Sequence, residues 1–329
     1  MSLEIKTAVV KPRRTAYGNI SRRIGEGRTA SRYEEATFDL QSEANFHYRP
    51  TWAPEFELYD QRRTAIRMKD WYAFKDPRQL YYGTYTISRN KLREVSDASF
   101  DFTKKHDLFE STGDDVKALA TNVLLPIRHF EWGANMNNFE IARFGEGTAI
   151  TQAASFCAMD RLGIAQVISR IGLSLNPDGK NLDGSKAIWL QNSEWQSLRH
   201  LVEDSFVLKD WFELFVVQNV VMDSLVFPLF YQHFDEAWRV KGGTALTMLT
   251  EFMRDWYKDH VRWVDATLKI AVAESEDNKT IISDWLGAWR ERATSAIEPI
   301  AELGLGDGSS AAVEAINVQL DKRLKRAGL

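Results

Sequence analysis

VKALATNVLLPIRHFEWGANMNNFEIARF, residues 116–144, decides how the chain folds. Its apolar positions recur at three- and four-residue spacing: Ala120, Val123, Leu124, Ile127, then Ala134. That period is one face of a helix, and Pro126 should kink it or mark a helix start. The same stripe carries Glu131 and ends on Asn138, so a carboxylate sits where a core residue belongs.

Three further long segments repeat this pattern. Residues 148–175 place Ala153, Cys157, Asp160, Gly163, Ile164, Val167 and Ile171 on one face. Residues 203–240, one long or broken stretch around Pro228, place Trp211, Leu214, Phe215, Gln218, Val221, Met222 and Leu225 together. Residues 244–274 align Leu249, Phe252, Trp256, His260, Trp263, Thr267 and Ala271. Each stripe has one polar interruption: Glu131, Asp160, Gln218 and His260. Two more helices are expected near 278–303 and 309–327. Long helices joined by short turns predict an all-α bundle. NPDGKNLDGSK, 176–186, reads as a turn-rich loop within one long connection, 176–192, and Ser193 with Gln196 as a capping box for the helix that follows.

Inward carboxylates on four helices describe a ferritin-like metal bundle. Such a site takes a Glu from each of two helices and a Glu-x-x-His pair from each of the other two. The six histidines, 47, 106, 129, 200, 233 and 260, follow Ala44, Thr103, Pro126, Ser197, Phe230 and Tyr257 at the i−3 position. No Glu-x-x-His or Asp-x-x-His exists, so too few ligands remain for a carboxylate-bridged metal pair. A single metal at Glu131, Asp160 and His260 is the alternative; arginines such as Arg161 or Arg262 are the other partners a buried carboxylate could take.

Composition narrows the class. The 329 residues carry 42 Lys and Arg against 46 Asp and Glu, a balance that disfavours nucleic acid as a partner. One cysteine, Cys157, rules out an internal disulfide and fits a reducing, cytoplasmic setting. No apolar run approaches the ~20 residues that span a bilayer, and MSLEIKTAVV lacks the apolar segment of a signal peptide. No P-loop, G-x-G-x-x-G or G-x-S-x-G pattern occurs. Eleven tryptophans imply either a permanent interface or an unusually aromatic core.

Residues 1–112 read as an irregular, extended N-terminal arm and partner-contacting segment, 113–275 as the bundle without metal ligands, and 276–329 as C-terminal helices packed on it. The first 32 residues hold eight Lys or Arg against Glu4 and Glu26, an arm suited to an acidic partner. DWYAFKDPRQLYYGTY, 70–85, packs six aromatics around Pro77. With its neighbours it forms a candidate partner surface of Arg49, Trp52, Trp71, Tyr72, Phe74, Pro77, Tyr81, Tyr82 and Tyr85; the other reading is that these residues cover the chain's own bundle.

NFHYRPTW (45–52), RTAIRMKDWYAFKDPRQLYYGTYTISR (63–89), HFEWGANMNN (129–138), MDRLGIAQ (159–166), KDWFELFVVQN (209–219) and MLTEFMRDWYK (248–258) together resemble the β subunit of the bacterial multicomponent di-iron monooxygenases, in their phenol hydroxylase branch. The resemblance spans almost the whole chain. It implies a ferritin-like, ribonucleotide-reductase-like bundle and a structural role in aromatic hydrocarbon catabolism. It also implies an α chain carrying the di-iron centre, a small γ chain completing an (αβγ)2 hydroxylase, and a docking effector protein. A reductase holding FAD and a 2Fe-2S cluster would supply electrons from NAD(P)H, and phenol would become catechol. Glu131, Asp160 and Asp259 fall near where the α chain would place carboxylates, but the imidazoles are missing. The resemblance therefore implies no catalytic, cofactor-binding or metal residue on this chain, and no nucleic-acid or membrane partner.

Overall fold

A computed structural model describes residues 16–41 and 49–329. Residues 1–15 of the expected 32-residue basic arm and the NFHY end of the partner segment lie outside the described residues. No strand occurs among the described residues, and the fold is ferritin-like and all-α.

Two short helices, α1 (Gly18–Ile24) and α2 (Arg32–Glu35), open the chain. Ser31 caps α2 in a reciprocal capping box with Glu34. The region expected to be irregular then holds a long helix, α3 (Tyr82–Lys105). Its buried residues are Tyr85, Ser96, Phe100 and Thr103, with little apolar periodicity between them. Too few apolar residues mark its inner face for the helical spacing to stand out in the sequence.

α4 (Asp114–Leu119) runs through a π-helical turn, Ala120–Leu124, into α5 (Ile127–Phe144). The Leu125 N–H donates to the Ala120 carbonyl five residues back, at 2.9 Å. This widening sits immediately before Pro126, which has no N–H to donate. α6 (Thr148–Leu175) returns antiparallel after a tight turn at Gly147, whose φ of 82° suits glycine.

The expected loop over 176–186 is shorter than anticipated, because α7 (Lys180–Gln191) begins just after Gly179 in a left-handed conformation. Asn176, Asp178 and Gly179 supply the turn, and the following residues continue as helix. In α8 (Ser193–Ser205) the N-cap is Asn192, and Gln196 Nε2 donates to the Asn192 carbonyl at 2.9 Å, so the Ser193 capping box does not form.

α9 (Trp211–Arg239) is the central rod. By length and mean hydropathy it could cross a membrane, contrary to the reading of the sequence, yet its apolar 18-residue stretch is wholly buried inside this chain. A helix enclosed by protein on every side is apolar on every side, and this explains its composition. Two π-helical stretches, Val216–Met222 and Leu229–His233, flank the short turn that contains Pro228. Around this rod pack α5, α10 (Thr244–Glu274), α11 (Glu276–Leu305) and α12 (Ser309–Ala327).

The N-terminal loops are clamped onto the bundle. Asp210 caps α9 by accepting from Phe212 and Glu213 N–H groups, and its second oxygen accepts from Ala65 N at 2.6 Å. Asn278 on α11 both donates to and accepts from the Arg67 backbone. Trp71 packs on Trp211 with ring centroids 5.4 Å apart.

Phe215 is fully buried between Phe212 and Trp263. Phe215→Ala should lower unfolding free energy by about 3–5 kcal/mol through lost burial and the cavity left behind. Chemical denaturation checks it.

Candidate functional site

The polar interruptions of three stripes converge at the centre of the bundle, on a cation. Arg161, one residue beyond Asp160 on α6, is completely buried. Its Nη2 donates to Asp223 Oδ1 on α9 at 2.7 Å, and its Nε lies 2.9 Å from Glu131 Oε2 on α5. The second approach is a charge contact whose angle falls outside hydrogen-bond geometry, so both Glu131 oxygens lack a hydrogen-bond partner. The guanidinium also faces the rings of Phe130, Phe227 and Trp256 at 5.3, 4.8 and 5.4 Å. Aromatic faces stabilise a desolvated cation through their quadrupole.

The network extends outward from Asp223. Gln218 Nε2 donates to Asp223 Oδ1 at 2.9 Å, and Gln218 Oε1 accepts from Asn137 Nδ2 at 2.8 Å. His260 Nε2 on α10 lies 3.2 Å from Asp223 Oδ2. Cys157 Sγ is 3.7 Å from His260 Nδ1 and is buried, packed as a small core group. Burial pushes the Cys157 thiol up, so it stays protonated.

Charge is balanced inside. Burial pushes Glu131 up to about 8, against the pull of Arg161 and with Asp223 adding to the rise. Burial works against ionisation of Asp223 too, but Arg161 and the contacts from His260 and Gln218 prevail and hold its carboxyl below the usual range. Burial likewise lowers His260, with Asp223 opposing. At neutral pH the centre is therefore one guanidinium and one carboxylate, with a neutral glutamic acid and a neutral imidazole beside them.

Asp160 belongs to a different network. Its side chain accepts two hydrogen bonds from Arg89 on α3, at 2.7 and 2.6 Å, one from Tyr85 at 3.0 Å and one from Trp256 Nε1 at 2.7 Å. The Trp256 ring stacks on His260 with centroids 4.7 Å apart, so it stands between Asp160 and the Arg161 centre. The alternative single-metal set of Glu131, Asp160 and His260 is thus not brought together. Among the described residues no group of three or more His, Cys, Asp or Glu is placed to hold a metal. Asp259 is on the surface, paired with Arg262 at 3.1 Å, so neither is the buried partner expected.

Nor do the residues fit a di-iron centre. Where that centre would need four carboxylates and two imidazoles, the four helices offer Glu131, Arg161, Gln218 with Asp223, and His260 preceded by Tyr257. A protein cation already lies against both inward carboxylates that face it.

The candidate partner surface divides. Trp71, Phe74 and Tyr85 are buried in this chain's own core, so those three rings are unavailable to a partner. Tyr85 stacks on Phe156 at 4.2 Å. Tyr72 and Tyr81 are half-buried, and Pro77 and Arg49 are exposed, with Arg49 paired to Glu57. Trp52 and Tyr82 are 59% and 72% exposed, and Arg143 lies over the Trp52 ring.

Asp223 and Arg89 were not among the sequence candidates. Asp223 lies five residues after Gln218, across the π-helical stretch, where a 3.6-residue period misplaces it. Arg89 sits on α3, whose inner face has no clear apolar stripe.

The methane/phenol/alkene hydroxylase family model matches residues 52–275. Over 330 aligned residues the chain is 46% identical to the phenol 2-monooxygenase oxygenase component DmpL of Pseudomonas sp. (strain CF600), covering 100% of this chain and 98% of that one. It is 44% identical to the corresponding component MhpL of Acinetobacter pittii (strain PHEA-2), again over 100% and 98%. A crystal structure of xenon-pressurised phenol hydroxylase from Pseudomonas sp. OX1 superposes with a TM-score of 0.94 at 43% identity, covering 99% of this chain and 98% of that one.

Two predictions follow from the charge centre. Arg161→Met should cost about 3–5 kcal/mol, because it strands the Asp223 carboxylate in the core. The double variant Arg161→Met/Asp223→Leu should recover part of that loss; urea unfolding of the pair is the measurement. Glu131 has a folded pKa of about 8, above its ordinary 4.5. Its contribution is therefore full below about 4.5 and is lost as pH rises through 8. Glu131→Gln should gain melting temperature relative to the parent from pH 5 to 8, then level off; a constant difference would be the contrary result.

Proposed function

The chain belongs to the methane/phenol/alkene hydroxylase family, and on that footing we propose that it is the structural, non-catalytic β subunit of a phenol or related aromatic monooxygenase. Its relatives are oxygenase components of phenol 2-monooxygenase, and a chain of that component works among partner subunits. In this reading a sister α chain carries the di-iron centre, and with a γ chain the three form an (αβγ)2 hydroxylase. The reductase, through FAD and a 2Fe-2S cluster, delivers NAD(P)H electrons; the effector protein docks transiently; phenol leaves as catechol.

The single observation that carries the non-catalytic role is Arg161. Seating a metal between Glu131 and Asp223 would require removing a buried guanidinium from two carboxyl groups and three aromatic faces. The ionic centre therefore stabilises a bundle of the same shape as a metal carrier, without the metal. Such a bundle serves as a rigid brace: its core helices are immobilised by internal charge pairs, and its outer faces are free to hold a partner.

Within this proposal the chain has three parts: a partner-contacting segment at 1–112, the bundle at 113–275, and C-terminal helices at 276–329. Of the aromatic segment, Arg49, Trp52, Pro77 and Tyr82, with the outer edges of Tyr72 and Tyr81, remain available to a partner. The complex acts in the cytoplasm.

Iron analysis of the chain purified with and without the α chain is the test. Iron should be substoichiometric in the free chain and appear only with the α chain. Stoichiometric iron in the free chain, lost on Glu131→Ala, would contradict the proposal.

A further inference from the structure

A slot of about 370 Å³ runs between α3 and α6, with α10 as its floor. That size lies within the ~300–1,000 Å³ of small-molecule sites. Arginine side chains span the slot at its two ends. Arg89 reaches from α3 to Asp160 on α6, and Arg170 reaches from α6 to Asp97 on α3, its guanidinium 3.9 Å from the Phe100 ring centre. Helices spaced by arginine stand farther apart than small apolar contacts would set them, so the residues between do not interdigitate. Gly163, on the α6 wall, shows the result: a Cβ there would meet no atom within 4 Å.

The lining has a defined chemistry. Leu92 on α3, Ile164 and Val167 on α6, and Phe252 and Trp256 on α10 give it apolar walls with aromatic surface on the floor, which a flat ring matches. One polar group among them has no partner. On α3 the hydroxyls of Ser99 and Thr103 donate back to the Val95 and Ser99 carbonyls, at 3.0 and 2.9 Å. Ser96, on the same helix and only 8% exposed, makes no hydrogen bond to any described residue, and it lines the slot. A nearly buried hydroxyl left unpaired is costly, and a hydroxyl on a ligand would recover that cost.

The ionic groups of the slot decide against a charged ligand. Both carboxylates in the lining are already paired, Asp160 with Arg89 and Asp97 with Arg170. The cation left over, Arg93, is exposed, where water screens it. An ionised ligand would lose its hydration without gaining a counter-charge among the apolar walls. A neutral ring with a single hydroxyl meets both the walls and Ser96.

We infer that the α3–α6 slot is a binding site for a neutral one-ring hydroxyarene, a small phenol, with its ring against Phe252 and Trp256 and its hydroxyl on Ser96. This chain alone builds the site, so the inference does not rest on the proposed β-subunit role. An occupant lies against Trp256, whose indole N–H donates to Asp160 and whose ring stacks on His260. Binding therefore braces the side chain that joins the two ionic clusters.

Fluorine NMR titration of 4-fluorophenol against the full-length chain tests this, and saturable one-to-one binding is expected. Gly163→Leu fills the slot and should weaken binding by about tenfold or more. Leucine is also the better helix former, so helical circular dichroism and melting temperature should hold or rise. Ser96→Ala keeps the shape of the slot and should weaken binding several-fold. 4-Fluorotoluene, which lacks the hydroxyl, and 4-fluorobenzoate, which is ionised, should both bind more weakly than 4-fluorophenol. In the assembled hydroxylase, Gly163→Leu should remove one bound equivalent of 4-fluorophenol per copy of this chain. Absence of saturable binding to the parent overturns the inference, as does a folded Gly163→Leu chain that binds like the parent. Tighter binding of 4-fluorobenzoate overturns it too, by making the slot an anion site. Each of these results leaves the β-subunit role standing.

Discussion

The arrangement of the whole bundle depends on a guanidinium held in its middle. Arg161 cannot be solvated where it sits, so its charge is met by the Asp223 carboxylate, with the polar Glu131 carboxyl and three aromatic faces beside it. Those partners come from α5, α9 and α10, and their positions follow from that requirement. A buried ion cluster of this kind is a weak source of net stability compared with an apolar core of the same volume, but loss of any one member is costly. A shift of the helices that separated Arg161 from Asp223 would leave a charge unmet in the core.

The second ionic cluster extends the same logic to the edge of the bundle. Asp160 accepts four hydrogen bonds, and its donors come from α3 and α10. Trp256 links the two clusters, donating to Asp160 with its indole N–H and stacking on His260 with its ring. Successive residues of α6, Asp160 and Arg161, about 100° apart around the helix, thus tie different helices together. What a metal carrier achieves with bridging ions, this chain achieves with side-chain charge. The family's shape is kept on these terms.

Much of this was legible in the residues. The four long helices, and Glu131, Gln218 and His260 as buried interruptions, follow from apolar spacing, because burial of one face is what produces that spacing. The missing Glu-x-x-His pairs were equally plain. Less legible was anything that depends on a break in the 3.6-residue period. Asp223 enters the centre through a π-helical stretch, and α9, apolar on all sides, hides which of its faces carries the chemistry. α3 escaped notice because its inner face is sparsely apolar and is held by the ion pair of Arg89 with Asp160. The aromatic segment could be read as core or as interface from its composition; only packing separates Trp71, Phe74 and Tyr85, which lie inside, from Trp52 and Tyr82, which lie outside.

Iron-edge anomalous diffraction from crystals of the assembled hydroxylase is the most direct test of the claim that a protein cation stands in for metal in this subunit. The account predicts an anomalous signal confined to the sister chain, with ordered density for the Arg161 guanidinium between Glu131 and Asp223. An iron peak within bonding distance of Glu131, Asp223 or His260, with Arg161 displaced, would contradict it.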